Sequence, residues 1–358
     1  VLKKPTSLSA FAGYLIGVPS TCPITAYMIL TPVVSHLAPT KKKQSVLLYL
    51  VALGSALGIA FVYPTPVTFP LFENLAPKGL SPLTYDLVAI PLSIIFLSIF
   101  VLYGRRKMEE KESVDDSSLQ DVPREEGASW GLDETAEKTL HDAPDICDVE
   151  TGLCEKRFHP KAWAPFLVTF AAIPVGFFIL HLSHFTLVQF IMFAGMIAAV
   201  LTALPENRWT GFVAGAKHAG VIIFDICGAG ALGYVITQST FANDALAVLA
   251  HNLPLILIPF VLAALIQTGQ GSRIVTSYLT AQILATTMLP SMMNPLALFL
   301  MIIAGAGVVC FVTDPYFWML HRTTGDDVKT VFKNYTLPQF LCGCATYIVA
   351  FAIQYFWP

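Results

Sequence analysis

Residues 270–279 read Gln270-Gly271-Ser272-Arg273-Ile274-Val275-Thr276-Ser277-Tyr278-Leu279. A glycine, a hydroxyl side chain and an arginine stand together between two apolar stretches. Leu246–Ile266 lies upstream, and the run continuing from Ser272 to Met288 lies downstream. The downstream run is short for a membrane span, which needs about 20 residues. Gly271-Ser272-Arg273 is therefore predicted as the tip of a re-entrant hairpin. There Ser272 and free backbone N–H groups can donate to a carboxylate, and Arg273 can clamp it with two parallel bonds. The competing reading of Arg273 is a side chain that extends its charge to the membrane surface.

Working outward, the chain of 358 residues is 55% hydrophobic and only 13% charged, against about 25% charged in soluble domains. More than half of those charges fall between Arg105 and Lys161. The remainder carries too few to cover a water-facing surface, so the bulk of the chain is predicted to lie in a lipid bilayer. A net charge of −3 without a basic stripe excludes nucleic acid as a partner. Seven scattered cysteines form neither a disulfide framework nor a metal set; Cys147 and Cys154 read as reduced thiols in a loop. No metal or cofactor is expected, and no catalytic dyad suggests an enzyme.

Spans are predicted at Ala26–Leu37 with its flanks, Val46–Val62, Leu83–Tyr103, Trp163–His181, Leu187–Leu204, Leu246–Ile266, Pro295–Val312 and Phe340–Phe356. Phe212–Ile236 is apolar but interrupted by Gly215, Gly220, Gly228, Gly230 and Gly233. It is read as a broken helix, because irregular backbone at membrane depth belongs where it lines a cavity. The new N-terminus after Gly228-Ala229-Gly230 would face an anion with free N–H groups. Close helix packing is the plainer explanation of those glycines. A dinucleotide fingerprint is remote, since no acid stands about 20 residues further on.

The hairpin motif has a counterpart. Ile24-Thr25-Ala26-Tyr27-Met28 matches Val275-Thr276-Ser277-Tyr278-Leu279, with Ser20 and Ser272 just upstream. A second pair follows at closely matched spacing: Phe61-Val62-Tyr63-Pro64-Thr65-Pro66 and Phe311-Val312-Thr313-Asp314-Pro315-Tyr316. Two patterns on either side of a charged segment are what a duplicated transporter half leaves behind. Three parts are expected: an incomplete N-terminal membrane half 1–104, a linker 105–161 and a C-terminal membrane half 162–358. Residues 162–270 precede the motif in the second half and only 1–18 precede Pro19 in the first, so the first repeat is expected to lack its front. Arg105, Arg106 and Lys107 at one end of the linker, with Lys156, Arg157 and Lys161 at the other, predict that it is cytoplasmic.

Three stretches make the chain resemble the gluconate permease family of the wider ion-transporter superfamily. Ile226-Cys227-Gly228-Ala229-Gly230-Ala231-Leu232-Gly233-Tyr234-Val235-Ile236 is similar to that family's run of four glycines. Gln270–Thr276 resembles its Gly-Ser-Ala-Thr-Val-Ala stretch. Cys310-Phe311-Val312-Thr313-Asp314-Pro315-Tyr316-Phe317-Trp318 resembles its Ser-His-Val-Asn-Asp motif with the Phe-Trp that follows. The family's His and Asn are Phe311 and Thr313 here, and its Pro-Pro-His-Pro-Gly-Pro run corresponds to residues 63–68 without the His or the Gly. The resemblance implies an all-α multi-pass transmembrane transporter with inverted repeats, re-entrant hairpins and broken helices. It also implies proton-coupled uptake of a small organic anion, a sugar acid such as gluconate or a short hydroxycarboxylate, across the inner membrane.

The substrate residues expected are Ser20, Thr21, Thr65, Gly228, Ala229, Gly230, Gly271, Ser272, Arg273 and Thr313. Asp225 and Asp314 are the proton-coupling candidates; each has a structural alternative, Asp225 paired with Arg273 or capping the next half-helix, and Asp314 fixing the broken backbone as a cap. The partners expected are the anion, protons, the lipid bilayer and a second copy of the chain. A cation/proton antiporter of the same superfamily, with Asp225 and Asp314 holding Na⁺, is the alternative. A channel and a membrane-embedded enzyme are further options.

Overall fold

The computed structural model describes residues 5–38, 40–75, 79–112 and 160–356. Most of the predicted linker, with Cys147 and Cys154, lies outside them. The chain forms two compact units, one of Val1–Val114 with Ile223–Pro358 and one of Asp115–Ile222. Every described element is helical, as an apolar chain requires: in lipid only intra-helical bonds satisfy the backbone without an open edge.

In the first unit, α1 (Pro5–Ser20) and α2 (Pro23–Leu37) form a hairpin, α3 (Lys41–Phe61) is a full span, and α4 (Phe69–Leu75) is a short return. Helix α5 (Pro82–Glu112) follows and continues past the basic residues Arg105–Lys107. Arg105 Nη2 donates to Ser7 Oγ at 2.8 Å, and Lys107 donates to Asn334. In the second unit, α6 (Pro160–Pro174) passes into a π-turn (Val175–Ile179), and α7 (His184–Thr202) packs beside it on a small core of Ala172, Leu187 and Ile191. Helix α8 covers Pro205–Gln238.

The predicted span Leu246–Ile266 is two helices, α9 (Phe241–Asn252) and α10 (Ile258–Gln270). Pro254 supplies the reason. It has no N–H to donate, and it forces the preceding Leu253 into extended backbone (φ −132°, ψ 147°). The chain continues through α11 (Arg273–Ala285), α12 (Leu289–Met292), α13 (Pro295–Val308) and α14 (Pro315–Thr324). It ends in α15 (Val328–Val331), a π-turn (Phe332–Thr336) and α16 (Leu337–Phe356).

Lys42–Phe61, Pro82–Met108 and Val328–Phe356 are long and apolar enough to cross a membrane. Helices α3 and α13 are the centre of the first unit: every residue from Leu296 to Ala306 is buried, and so is nearly all of α3. Helices α5 and α16 are half covered and turn residues such as Leu87 and Ile348 outward, as lipid-facing helices do.

The central helices are approached closely by their partners. A Cβ on Gly58 would sit 2.7 Å from the Tyr14 carbonyl oxygen, and one on Gly305 would collide with the Phe260 carbonyl. Small residues let backbones touch where lipid supplies no hydrophobic drive for association.

The order of α1–α4 is helix, break, helix, long helix, break, short helix; α10–α14 follow a similar order, but with the four-residue α12 inserted and a shorter α13 of 14 residues.

Candidate functional site

Four of the helix interruptions in the first unit bear on the site. The first is Thr21-Cys22, where Thr21 adopts φ 52° and Pro23 restarts the chain as α2. The second is Val62–Thr68, between α3 and α4. The third is Gly271-Ser272, and the fourth is Val309–Asp314, between α13 and α14.

A freed peptide group costs several kcal/mol in lipid unless something satisfies it, and each break carries its own partners. At the second, the Thr65 hydroxyl donates to the Ile59 carbonyl (2.7 Å), the Thr68 hydroxyl donates to the Val62 carbonyl (3.0 Å), and Asp86 Oδ1 accepts from the Tyr63 N–H (2.9 Å). At the fourth, Thr336 donates to the Cys310 carbonyl (2.5 Å) and Trp318 Nε1 to the Val312 carbonyl (2.8 Å).

The third and fourth breaks meet. Gly271 has φ 69°, and a Cβ there would fall within the radius of the Thr313 carbonyl oxygen. Ser272 caps α11, its hydroxyl accepting from the Val275 N–H (3.5 Å). Arg273 is the first residue of α11 and half-buried. Its Nη2 donates to Cys310 Sγ (2.9 Å) and to the Tyr335 hydroxyl (3.5 Å). The Tyr335 hydroxyl in turn donates to Asp314 Oδ2 (3.1 Å), while Asp314 Oδ1 accepts from the Tyr316 N–H (2.9 Å). Tyr335 thus stands between the cation and the carboxylate, and both Asp314 oxygens are engaged, one by α14 and one by the π-turn before α16. That is the capping arrangement.

Both contacts of Arg273 leave from one nitrogen, Nη2. A guanidinium has five N–H donors in a fork, so the donors on Nε and Nη1 carry no bond to these partners. Beside them are the first N–H groups of α11, which an α-helix leaves without an internal acceptor. The positive end of the helix and the guanidinium add at one place, a setting that favours an anion.

Arg273 borders a small cavity with Phe61 and Val67, which flank the second break, Gly307 near the fourth, and Gln339 and Thr346 of α16. The cavity measures 10 Å³, about enough for one water.

Of the expected residues, Gly271, Ser272, Arg273, Thr313 and Asp314 come together. Thr65 is buried and spent on its own break. The Ser20 hydroxyl donates to the Gly17 and Cys22 carbonyls, both at 3.2 Å, inside the hairpin whose turn is Thr21.

Gly228, Ala229 and Gly230 depart from expectation. Helix α8 runs through them from Pro205 to Gln238 without a break, so no helix N-terminus exists there. The side chains of Asp225 and Ala229 lie outside the described ones. The physical reason is cost: glycine inside a helix forfeits only about 1 kcal/mol, less than unwinding in lipid. Among the described residues nothing lies within 4 Å of a Cβ added at Gly228, so close packing against them does not explain it either. Gly228→Ala is therefore expected to raise stability by about 0.5–1 kcal/mol and to leave function intact. A melting comparison in detergent checks the first; a fall in function would show that the helix opens there while the protein works.

Three contributors escaped the sequence reading. Tyr335 and Gln339 sit in the final helical segment, and Asp86 lies in α5. Asp86 had a signal, an acid near the start of the apolar run Leu83–Tyr103.

Residues 187–356 match the family described as GntP family permease. The gluconate permease of Zymomonas mobilis subsp. mobilis is 27% identical over 173 residues, which cover 44% of this chain and 38% of that protein. The chain thus spans well under two thirds of the length of the relative it matches. No solved structure matches. The matched region holds both meeting breaks, Arg273, Asp314 and Gln339, and over it the chain is similar to the GntP family permeases.

Proposed function

We propose that the protein is a secondary active transporter that takes up a small organic anion, a sugar acid such as gluconate or a short hydroxycarboxylate, together with protons. The observation that carries this reading is Arg273, with unspent donors at a helix N-terminus where two interrupted helices touch, bordering a cavity. The substrate carboxylate lies against the Arg273 fork and the Gly271–Ser272 tip, with Thr313 at the facing break. The cavity has room for about one water and not for a sugar acid, so in this reading α10–α11 part from α13–α14 to admit the substrate.

Asp314 and Asp225 are the candidates to carry the proton. In this reading the two membrane halves are inverted repeats, the usual frame for alternating access. The linker faces the cytoplasm of the inner membrane.

The test uses the full chain in proteoliposomes with an acid exterior and labelled gluconate. Accumulation above equilibrium, collapsed by a protonophore, is the expected result. Sodium–proton exchange without any organic acid would favour the antiporter reading, and passive, unsaturable flux would indicate a channel.

A further inference from the structure

Gln339 stands near the start of α16, 2% exposed, and borders the same cavity as Arg273. Its amide nitrogen Nε2 is buried and has no hydrogen-bond partner among the described residues. Leaving such a donor unsatisfied costs about 1–3 kcal/mol, whereas an apolar side chain of the same shape carries no such cost. Gln267 is also buried with an idle Nε2, but its Oε1 accepts the Thr276 hydroxyl at 2.7 Å and secures the α10–α11 hairpin. Gln339 has no comparable bond, so its polarity is explained by something that visits the cavity.

We propose that Gln339 is the specificity residue that recognises a hydroxyl group next to the substrate carboxylate, selecting 2-hydroxy acids over acids that lack the hydroxyl. This inference rests on the transport reading above. A carboxamide fits the task because it offers an N–H to the hydroxyl's lone pair and a carbonyl to its proton. An anion seated on the Arg273 fork presents its second carbon one bond from the carboxylate, and Gln339 approaches the same cavity from α16. A site built around such a bond rejects the analogue without the hydroxyl, because its own polar group is then left unpaired.

The experiment measures binding of gluconate and of 2-deoxygluconate to the full chain in nanodiscs. Wild type is expected to prefer gluconate by tenfold or more. Gln339→Met, close in shape and apolar, is expected to bind 2-deoxygluconate as wild type does and to lose the preference. Gln339→Asn, which keeps the amide but shortens its reach, serves as a second variant should the first fold poorly, and is expected to lose most of the preference. A preference retained in a folded variant, equal losses for both acids, or equal binding of both by wild type overturns the proposal while the transport reading stands. If wild type binds neither acid, the transport reading falls and takes this one with it.

Discussion

Arg273→Ala is expected to bring uptake of the organic anion down to the level of empty liposomes, a loss of 100-fold or more, while the protein still elutes as a single species. Among the described residues the fork is the only cation bordering the cavity, and truncating one partner of a desolvated charged contact typically costs about 2–5 kcal/mol. Folding survives because the break does not depend on the guanidinium: Tyr335 and the Tyr316 N–H hold Asp314 without it. Arg273→Lys separates charge from geometry. A point charge cannot donate two parallel bonds from a rigid fork, so roughly a tenfold loss is expected. Wild-type uptake by Arg273→Ala would remove this residue from the substrate site.

Gly271→Ala is expected to be the most damaging small substitution for the fold itself. At φ 69° any residue with a Cβ is strained by about 1–2 kcal/mol. The new methyl would also strike the Thr313 carbonyl oxygen, a backbone atom with no rotamer to change. Separating the two breaks would pull Arg273 away from Cys310 and Tyr335. A combined loss of about 3 kcal/mol or more is expected, read as a lowered melting temperature and a loss of monodisperse protein in detergent. Gly325 provides the control. It has the same φ of 69° but nothing within 4 Å of an added Cβ, so Gly325→Ala should show the strain alone.

The membrane class and the hairpin tip were legible because they rest on local chemistry. Glycine beside a capping serine at the end of a short apolar run has few other uses, and an Asp before a proline caps a turn wherever it stands. The glycines of α8 were misread because their composition is compatible with a break and with a helix; lipid decides for the helix when no partners await the freed groups. Tyr335, Gln339 and Asp86 were missed for a different reason. Their roles come from contacts across the chain, Tyr335 with Arg273 some 62 residues away and Asp86 with a peptide 23 residues back. An alternation of apolar residues carries no trace of such pairings.

Where the early helices lean on the late ones, two of the joins pair alcohol with alcohol. Tyr27 meets Thr323 at 2.6 Å and Ser55 meets Tyr316 at 2.9 Å, and in each pair either oxygen can be the donor. Such a seam has no fixed polarity. A hydroxyl can swing its hydrogen to another acceptor with no shift of heavy atoms, and each bond is worth only about 1 kcal/mol net. At these two joins the helices can part and re-pair without stranding a charge, whereas the Tyr49 hydroxyl, donating to Asp326 Oδ2 at 2.8 Å, ties α3 to the turn after α14 through a carboxylate.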